Sequence, residues 1–126
     1  MPTKAVKLAK QATTIAFHGT IARQANQSAK ELAWLISILE DRKLERVLEI
    51  GSQDGGTLWT WAQLATDDAV LVSVDIAPLG ILATDPQQLG RDGQTIVQTR
   101  SDSKDPATAT EVAGYLDGRV DLLFID

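Results

Sequence analysis

The chain contains no cysteine. Disulfides are therefore excluded, as is every metal or redox site built on thiolates, and the absence fits a reducing, cytoplasmic setting. No stretch approaches the roughly 20 consecutive apolar residues needed to span a bilayer. Lys4, Lys7 and Lys10 open the chain as a secretory leader would, but Thr13, Thr14, His18 and Thr20 break up the segment behind them, so no continuous apolar block completes the pattern. Internal repeats and low-complexity tracts are absent too. The sequence has 126 residues, 44 % hydrophobic and 23 % charged. That is enough for one small soluble domain, and too apolar for a disordered chain.

The net charge of -5 is unevenly spread. Residues 1–46 carry eight Lys and Arg against four Asp and Glu, whereas residues 47–126 carry four against thirteen. The acidic part would repel a phosphate backbone, which argues against nucleic acid as a partner. It suits a cationic ligand, and it equally describes a solvated acidic surface.

Along the chain, Ala5, Leu8, Ala9, Ala12, Ile15 and Ala16 trace a weak helical stripe over residues 4–17, with Gly19 placed to end it. Ser28 and Glu31 have capping-box spacing and precede a stronger stripe of Leu32, Leu35, Ile36 and Leu39, which predicts a helix ending near Lys43. The pattern then changes. Val47–Ile50 and Val70–Val74 are β-branched runs ending at Gly51 and Asp75. Between them, residues 57–64 look helical. A loop with Pro78, Gly80, Pro86 and Gly90 comes next, with room for a short helix. Thr95–Val97 is a weaker strand, Pro106 opens a helix running to about Leu116, and Val120–Ile125 is a fourth strand ending at Asp126. Strands alternating with helices predict an α/β fold, a parallel sheet with helices on both faces. The expected organisation is an N-terminal helical segment, residues 1–45, followed by the sheet over residues 46–126. Leu122–Ile125 is apolar on both faces, as in an interior parallel strand, yet no later segment covers its far edge. The expectation is a fold incomplete at the C-terminus, or one that a partner such as a second copy completes.

The chemistry concentrates in Leu48-Glu49-Ile50-Gly51-Ser52-Gln53-Asp54-Gly55-Gly56-Thr57. A glycine-bearing turn between a strand and a helix lets the backbone approach a ligand, and the helix N-terminus offers N–H groups to an anion. Asp75, at the tip of the next strand, can accept hydrogen bonds from both hydroxyls of a ribose. Dinucleotide-binding and methyltransferase sheets share this arrangement, and glycines used for packing alone would also produce it. Two features favour the methyltransferase. Gln53 occupies the middle position of G-x-G-x-x-G, and the acidic Glu49 stands two residues before the first glycine.

Val47–Thr57 resembles motif I of the class I S-adenosylmethionine-dependent methyltransferases, especially the cephalosporin-hydroxylase-like and catechol-O-methyltransferase-like branch. The likeness continues through Val72–Asp75, Ser101–Pro106 and Leu123–Asp126, in the same order and spacing. It implies a Rossmann-like domain, of which residues 46–126 would be the N-terminal half, with S-adenosylmethionine as cofactor and a small-molecule or sugar acceptor. It further implies that Gly51, Ser52 and Gly55 form the loop under the cofactor, that Glu49 places its amino group, and that Thr57 binds its carboxylate. Asp75 would hold the ribose, and Asp102 and Ser103 would flank adenine. Asp126 would face the active site, where metal-dependent relatives use the aspartate as first ligand of a magnesium-like ion. Such an ion normally takes six oxygen ligands, and one carboxylate is a poor site. No tight metal binding by this chain is expected, and its catalytic residues are not identified.

Other residues read more plainly. His18, the single histidine, suits a surface or helix-end role better than that of a base. Trp59 and Trp61 suit packing against the sheet, although one could border the cofactor; Trp34 suits the core or an interface; Arg100 and Lys104 suit solvent. Two other functional classes stay open: a non-catalytic module that binds an adenosine compound, and a scaffold whose last strand pairs with another subunit.

Overall fold

A computed structural model describes residues 3–14, 16–18, 21–25, 27–51, 55–76 and 86–125. Helix α1 (Lys4–Thr13) starts at Thr3, whose hydroxyl accepts the Val6 N–H. It is shorter than the stripe over 4–17 suggests. The Thr13 and Thr14 hydroxyls donate back to the carbonyls of Ala9 and Lys10, and Thr14 is extended. Such threonines compete with the helix for its own carbonyls, and the β-branched run favours extension. Residues 16–18 (β1) then pair antiparallel with residues 21–23 (β2), so the N-terminal segment carries a hairpin as well as helices. Gly19, the expected helix stop, lies outside the described residues.

Helix α2 (Ala29–Leu39) begins where predicted, with the Ser28 hydroxyl accepting the Glu31 N–H. It ends four residues before Lys43. A turn after Glu40 directs Leu44 into the core, where it is buried. The remaining elements are β3 (Arg46–Ile50), α3 (Gly56–Leu64), β4 (Val70–Val74), a short 3-10 helix (Pro86–Leu89), β5 (Thr95–Thr99), α4 (Pro106–Leu116) and β6 (Leu122–Ile125). Strands β3 to β6 form an all-parallel, four-stranded sheet in the order β5-β4-β3-β6. The chain runs outward from β3 to β5 and then returns to the other side of β3. This is the Rossmann-like arrangement, with a topological switch between β3 and β6.

Helices cover both faces. Leu8, Ala9, Leu32, Ile36, Leu58 and Trp61 from α1, α2 and α3 pack in one cluster with Val47, Leu71 and Ile96 of the sheet. The N-terminal segment therefore shares the main core with the strands. On the other face, Val112 and Leu116 of α4 pack on Val72 and Val74. Strand β6 is half covered. Leu122 and Phe124 join the main cluster, whereas Leu123 and Ile125 are 51 % and 66 % exposed. Trp34, expected in the core or an interface, is 68 % exposed, because α2 turns Leu32 and Ile36 inward instead. No described helix is long and apolar enough to cross a membrane.

Three local devices fix these elements. The N–H groups of Arg91 and Gln94 side chains reach the carbonyls of Ala62, Ala65 and Thr66, satisfying the C-terminal end of α3. At the start of α4, the Asp105 carboxylate accepts the Ala107 N–H, with Pro106 in the first turn. Asp121 joins β6 to β3: its Oδ2 accepts the N–H groups of Glu45 and Arg46 at 2.8 and 2.9 Å, and its own N–H donates to the Arg46 carbonyl. The Glu45 N–H, and after it the Arg46 N–H and the charges of Arg119 and Arg46, outweigh partial desolvation and hold this carboxyl below its ordinary value of 3.8.

Gly56 marks the tightest approach between segments. A β-carbon there would run into the backbone of Gln24 and Ala25. Gly56→Ala should cost about 3 kcal/mol or more of stability, read from the urea midpoint. Asp121 gives a pH-dependent prediction. Its lowered folded-state value contributes stability that is complete above the ordinary carboxyl range and is lost as pH falls through the lowered value. The stability gap between wild type and Asp121→Asn should be level near neutrality and close below about pH 4.

Candidate functional site

The carboxyl ends of β3, β4 and β5 open on a cleft of about 150 Å³. Apolar Ile50, Val74 and Ile76 line it together with Gly51, Asp75 and the turn Ser101–Ser103. Backbone bonds set its walls. Gly51, with φ of 88°, donates its N–H to the Val74 carbonyl over 2.8 Å, and Asp75 donates to the Thr99 carbonyl over 3.1 Å. Each strand end is thereby tied to its neighbour, and the Asp75 carboxylate is held one residue beyond β4. The Asp102 carbonyl accepts from the Asp105 N–H and the Thr108 hydroxyl, and its Oδ1 accepts the Lys104 N–H over 2.9 Å. Asp102 thus builds the turn into α4 while lining the cleft.

Four of the residues expected from the sequence, Gly51, Asp75, Asp102 and Ser103, meet at this cleft. Glu49 and Thr57 stand elsewhere. Glu49 is fully buried on the helix-covered face of β3, where its Oε2 accepts the Trp61 indole N–H over 2.9 Å. Thr57 is buried in the first turn of α3. Gly55 caps that helix in the left-handed region, with φ of 77°, and bridges to Gln24. The N-terminal segment therefore packs over the start of α3, a contact that no sequence motif indicates. Ser52 and Asp126 lie outside the described residues, and so does the side chain of His18.

Trp61 performs two tasks that the sequence does not separate. Besides bonding to Glu49 it packs against Phe124, with ring centroids 5.1 Å apart and planes inclined by 55°. Beside Glu49 in the sheet stands Ser73, also fully buried, whose hydroxyl has no hydrogen-bond partner among the described residues.

Charge decides what the cleft can accept. Among the described residues, its lining contributes two carboxylates, Asp75 and Asp102, and no basic side chain. It suits hydroxyl donors and cationic groups, and it disfavours the pyrophosphate of a dinucleotide. A larger groove of about 710 Å³ runs between α2 and β6, lined by Gln27, Lys30, Leu32, Trp34, Leu35 and Phe124 among others. It is mainly apolar and shares no lining residue with the strand-end cleft. In an open α/β sheet, ligands usually bind outside the carboxyl ends of the strands, where this cleft opens beside β3. Among the described residues, no three His, Asp or Glu side chains converge on a position for a metal ion.

No protein-family model matches the chain. Comparison with curated proteins likewise finds no match.

Proposed function

We propose that the chain binds S-adenosylmethionine at the carboxyl ends of β3, β4 and β5, as the cofactor-binding half of a methyltransferase acting on an oxygen of a small molecule or sugar. One observation carries this reading. The Asp75 carboxylate, one residue beyond β4, shares a cleft with the left-handed Gly51 turn and with the Ser101–Ser103 turn. A carboxylate so held can accept both ribose hydroxyls, while Asp102 and Ser103 flank the adenine. The resemblance assigns Glu49 to the amino group of the cofactor, Thr57 to its carboxylate, and Ser52 and Gly55 to the loop beneath it, but Glu49 and Thr57 are buried outside the cleft and add no support to this reading.

The donor set fits the nucleoside. The carboxylates of Asp75 and Asp102 and apolar Ile50, Val74 and Ile76 line the same cleft, and among the described residues no basic group lines it to invite a phosphate. The described walls enclose about 150 Å³, whereas small-molecule sites span ~300–1,000 Å³. We assign the described part to the nucleoside end of the ligand. When bound, the sulfonium supplies an electrophilic methyl group for in-line displacement. The contribution of this chain is to bind and orient: Asp75 and the Gly51 turn fix the nucleoside, so that the methyl group is held on one line of approach. Among the described residues, no group of three or more His, Asp or Glu could hold a metal ion, and Asp126 alone would give at most two of the six oxygens that a magnesium-like ion takes. No step is assigned to a metal.

A subunit-interaction scaffold is the second reading. The exposed Leu123 and Ile125 on edge strand β6 favour it, since an apolar sheet edge tends to recruit another chain, here a second copy. Calorimetric titration separates the readings. With S-adenosylmethionine and S-adenosylhomocysteine, the expected result is saturable binding that weakens at least about tenfold in Asp75→Ala, given the strength of hydrogen bonds to a charged acceptor. A folded chain that binds neither ligand and sediments only as an oligomer would support the scaffold instead.

A further inference from the structure

We propose that the seam between α2 and β6 is a self-complementary surface through which two copies of the chain pair about a two-fold axis, with Trp34 of each copy packed against the α2 groove of the other. This surface shares no residue with the strand-end cleft, and the inference does not depend on which ligand that cleft holds.

Helix α2 carries two apolar stripes. Leu32, Ile36 and Leu39 face the core. Trp34 and Ile38 form the second, and they are 68 % and 43 % exposed. Each lines a groove along the seam. Trp34 and Leu35 border the groove of about 710 Å³ with Phe124, and Ile38 borders one of about 450 Å³ with Val120. A large exposed aromatic ring beside an apolar groove is the composition of an interface core.

The ends of the outer stripe identify the occupant. Glu31 lines the first groove and Arg42 the second, so one end is acidic and the other basic. Among the described residues, neither has an ion-pair partner. The neighbouring charges are otherwise engaged or turned aside. Lys43 lies 3.8 Å from Glu45, Asp121 accepts the N–H groups of Glu45 and Arg46, and Lys30 also borders the recess between α1 and α2. Trp34 is the middle residue of α2. A two-fold axis beside it sets two copies of the helix antiparallel. Glu31 of each copy then faces Arg42 of the other, and each Trp34 meets the Leu35 and Ile38 flank opposite. A two-fold interface requires a patch that complements itself under this rotation. A stripe with one sign of charge at both ends would repel its own copy, whereas this one attracts it.

Sedimentation of the chain over a micromolar concentration series tests this. The average mass should rise from that of one chain toward that of two. Trp34→Ala, at an exposed position that leaves the core intact, should weaken pairing about thirtyfold or more. Glu31→Arg and Arg42→Glu should each weaken it about fivefold, because each sets like charges together at both ends of the interface. An equal mixture of these two variants should recover pairing, since the mixed dimer brings opposite charges together at both ends. Trp34→Ala should bind S-adenosylmethionine as the unaltered chain does, which separates loss of pairing from loss of the ligand site. A chain that stays single throughout the series, as when the groove serves a foreign protein or an apolar small molecule, would overturn the proposal. So would pairing that Trp34→Ala leaves unchanged, as when β6 pairs through its edge alone, or a mixture that fails to recover.

Discussion

The return of the chain to the far side of β3 is the constraint on which the site depends. Had β6 continued outward beyond β5, the sheet would have no switch point, and β3 would be its edge. The Asp121 carboxylate makes the return specific, because it accepts two backbone N–H groups at the start of β3 and so aligns β6 before the strands begin to pair. Arg46 adds to the same junction, bonding from the beginning of β3 to Asp117 at the end of α4 over 3.2 Å. With β6 in place, β3 is flanked on both sides, and the turn at Gly51 leaves the sheet from its middle.

The covering of β3 then differs by face. On the side of α1, α2 and α3 it is sealed by a continuous apolar cluster, into which a single carboxylate, Glu49, has been inserted. Burying that group is costly unless it is hydrogen-bonded, and the Trp61 indole meets part of the requirement. On the side of α4, Val72, Val74, Val112 and Leu116 form a smaller cluster, while Leu123 and Ile125 stay exposed on β6. The cleft at the strand ends lies where these layers stop. Its walls are backbone turns tied from strand to strand, so its shape comes from the sheet and its acidity from two side chains on those turns.

Much of this was legible in the sequence because it depends on local pattern. Val47–Ile50 and Val70–Val74 read as strands from their β-branched residues, and their ends from Gly51 and Asp75. Ser28 and Pro106 marked helix starts for reasons confined to a single turn. Cleft residues Gly51, Asp75, Asp102 and Ser103 were legible because each directly succeeds a strand or sits in the turn into a helix. The features missed depend on partners distant in the chain. The alanine stripe of α1 extends on paper to Ala16, but threonine hydroxyls and pairing with residues 21–23 end the helix earlier. Gly56 looked like part of a ligand loop, yet its missing side chain makes room for Gln24 and Ala25. Neither the Trp61–Glu49 bond nor the depth of Glu49 and Thr57 can be read from spacing, since both arise from the packing of α3 on β3.

The central claim is that ligand recognition takes place at the acidic strand-end cleft and not in the larger apolar groove beside α2. Chemical-shift mapping of the ¹⁵N-labelled chain during titration with S-adenosylmethionine tests this most directly. The account predicts that the amides of Gly51, Asp75, Ile76 and Ser101–Ser103 move together and saturate, while those of Trp34 and Leu35 do not. Shifts confined to Trp34, Leu35 and Phe124, or no shifts in a folded chain, would contradict it.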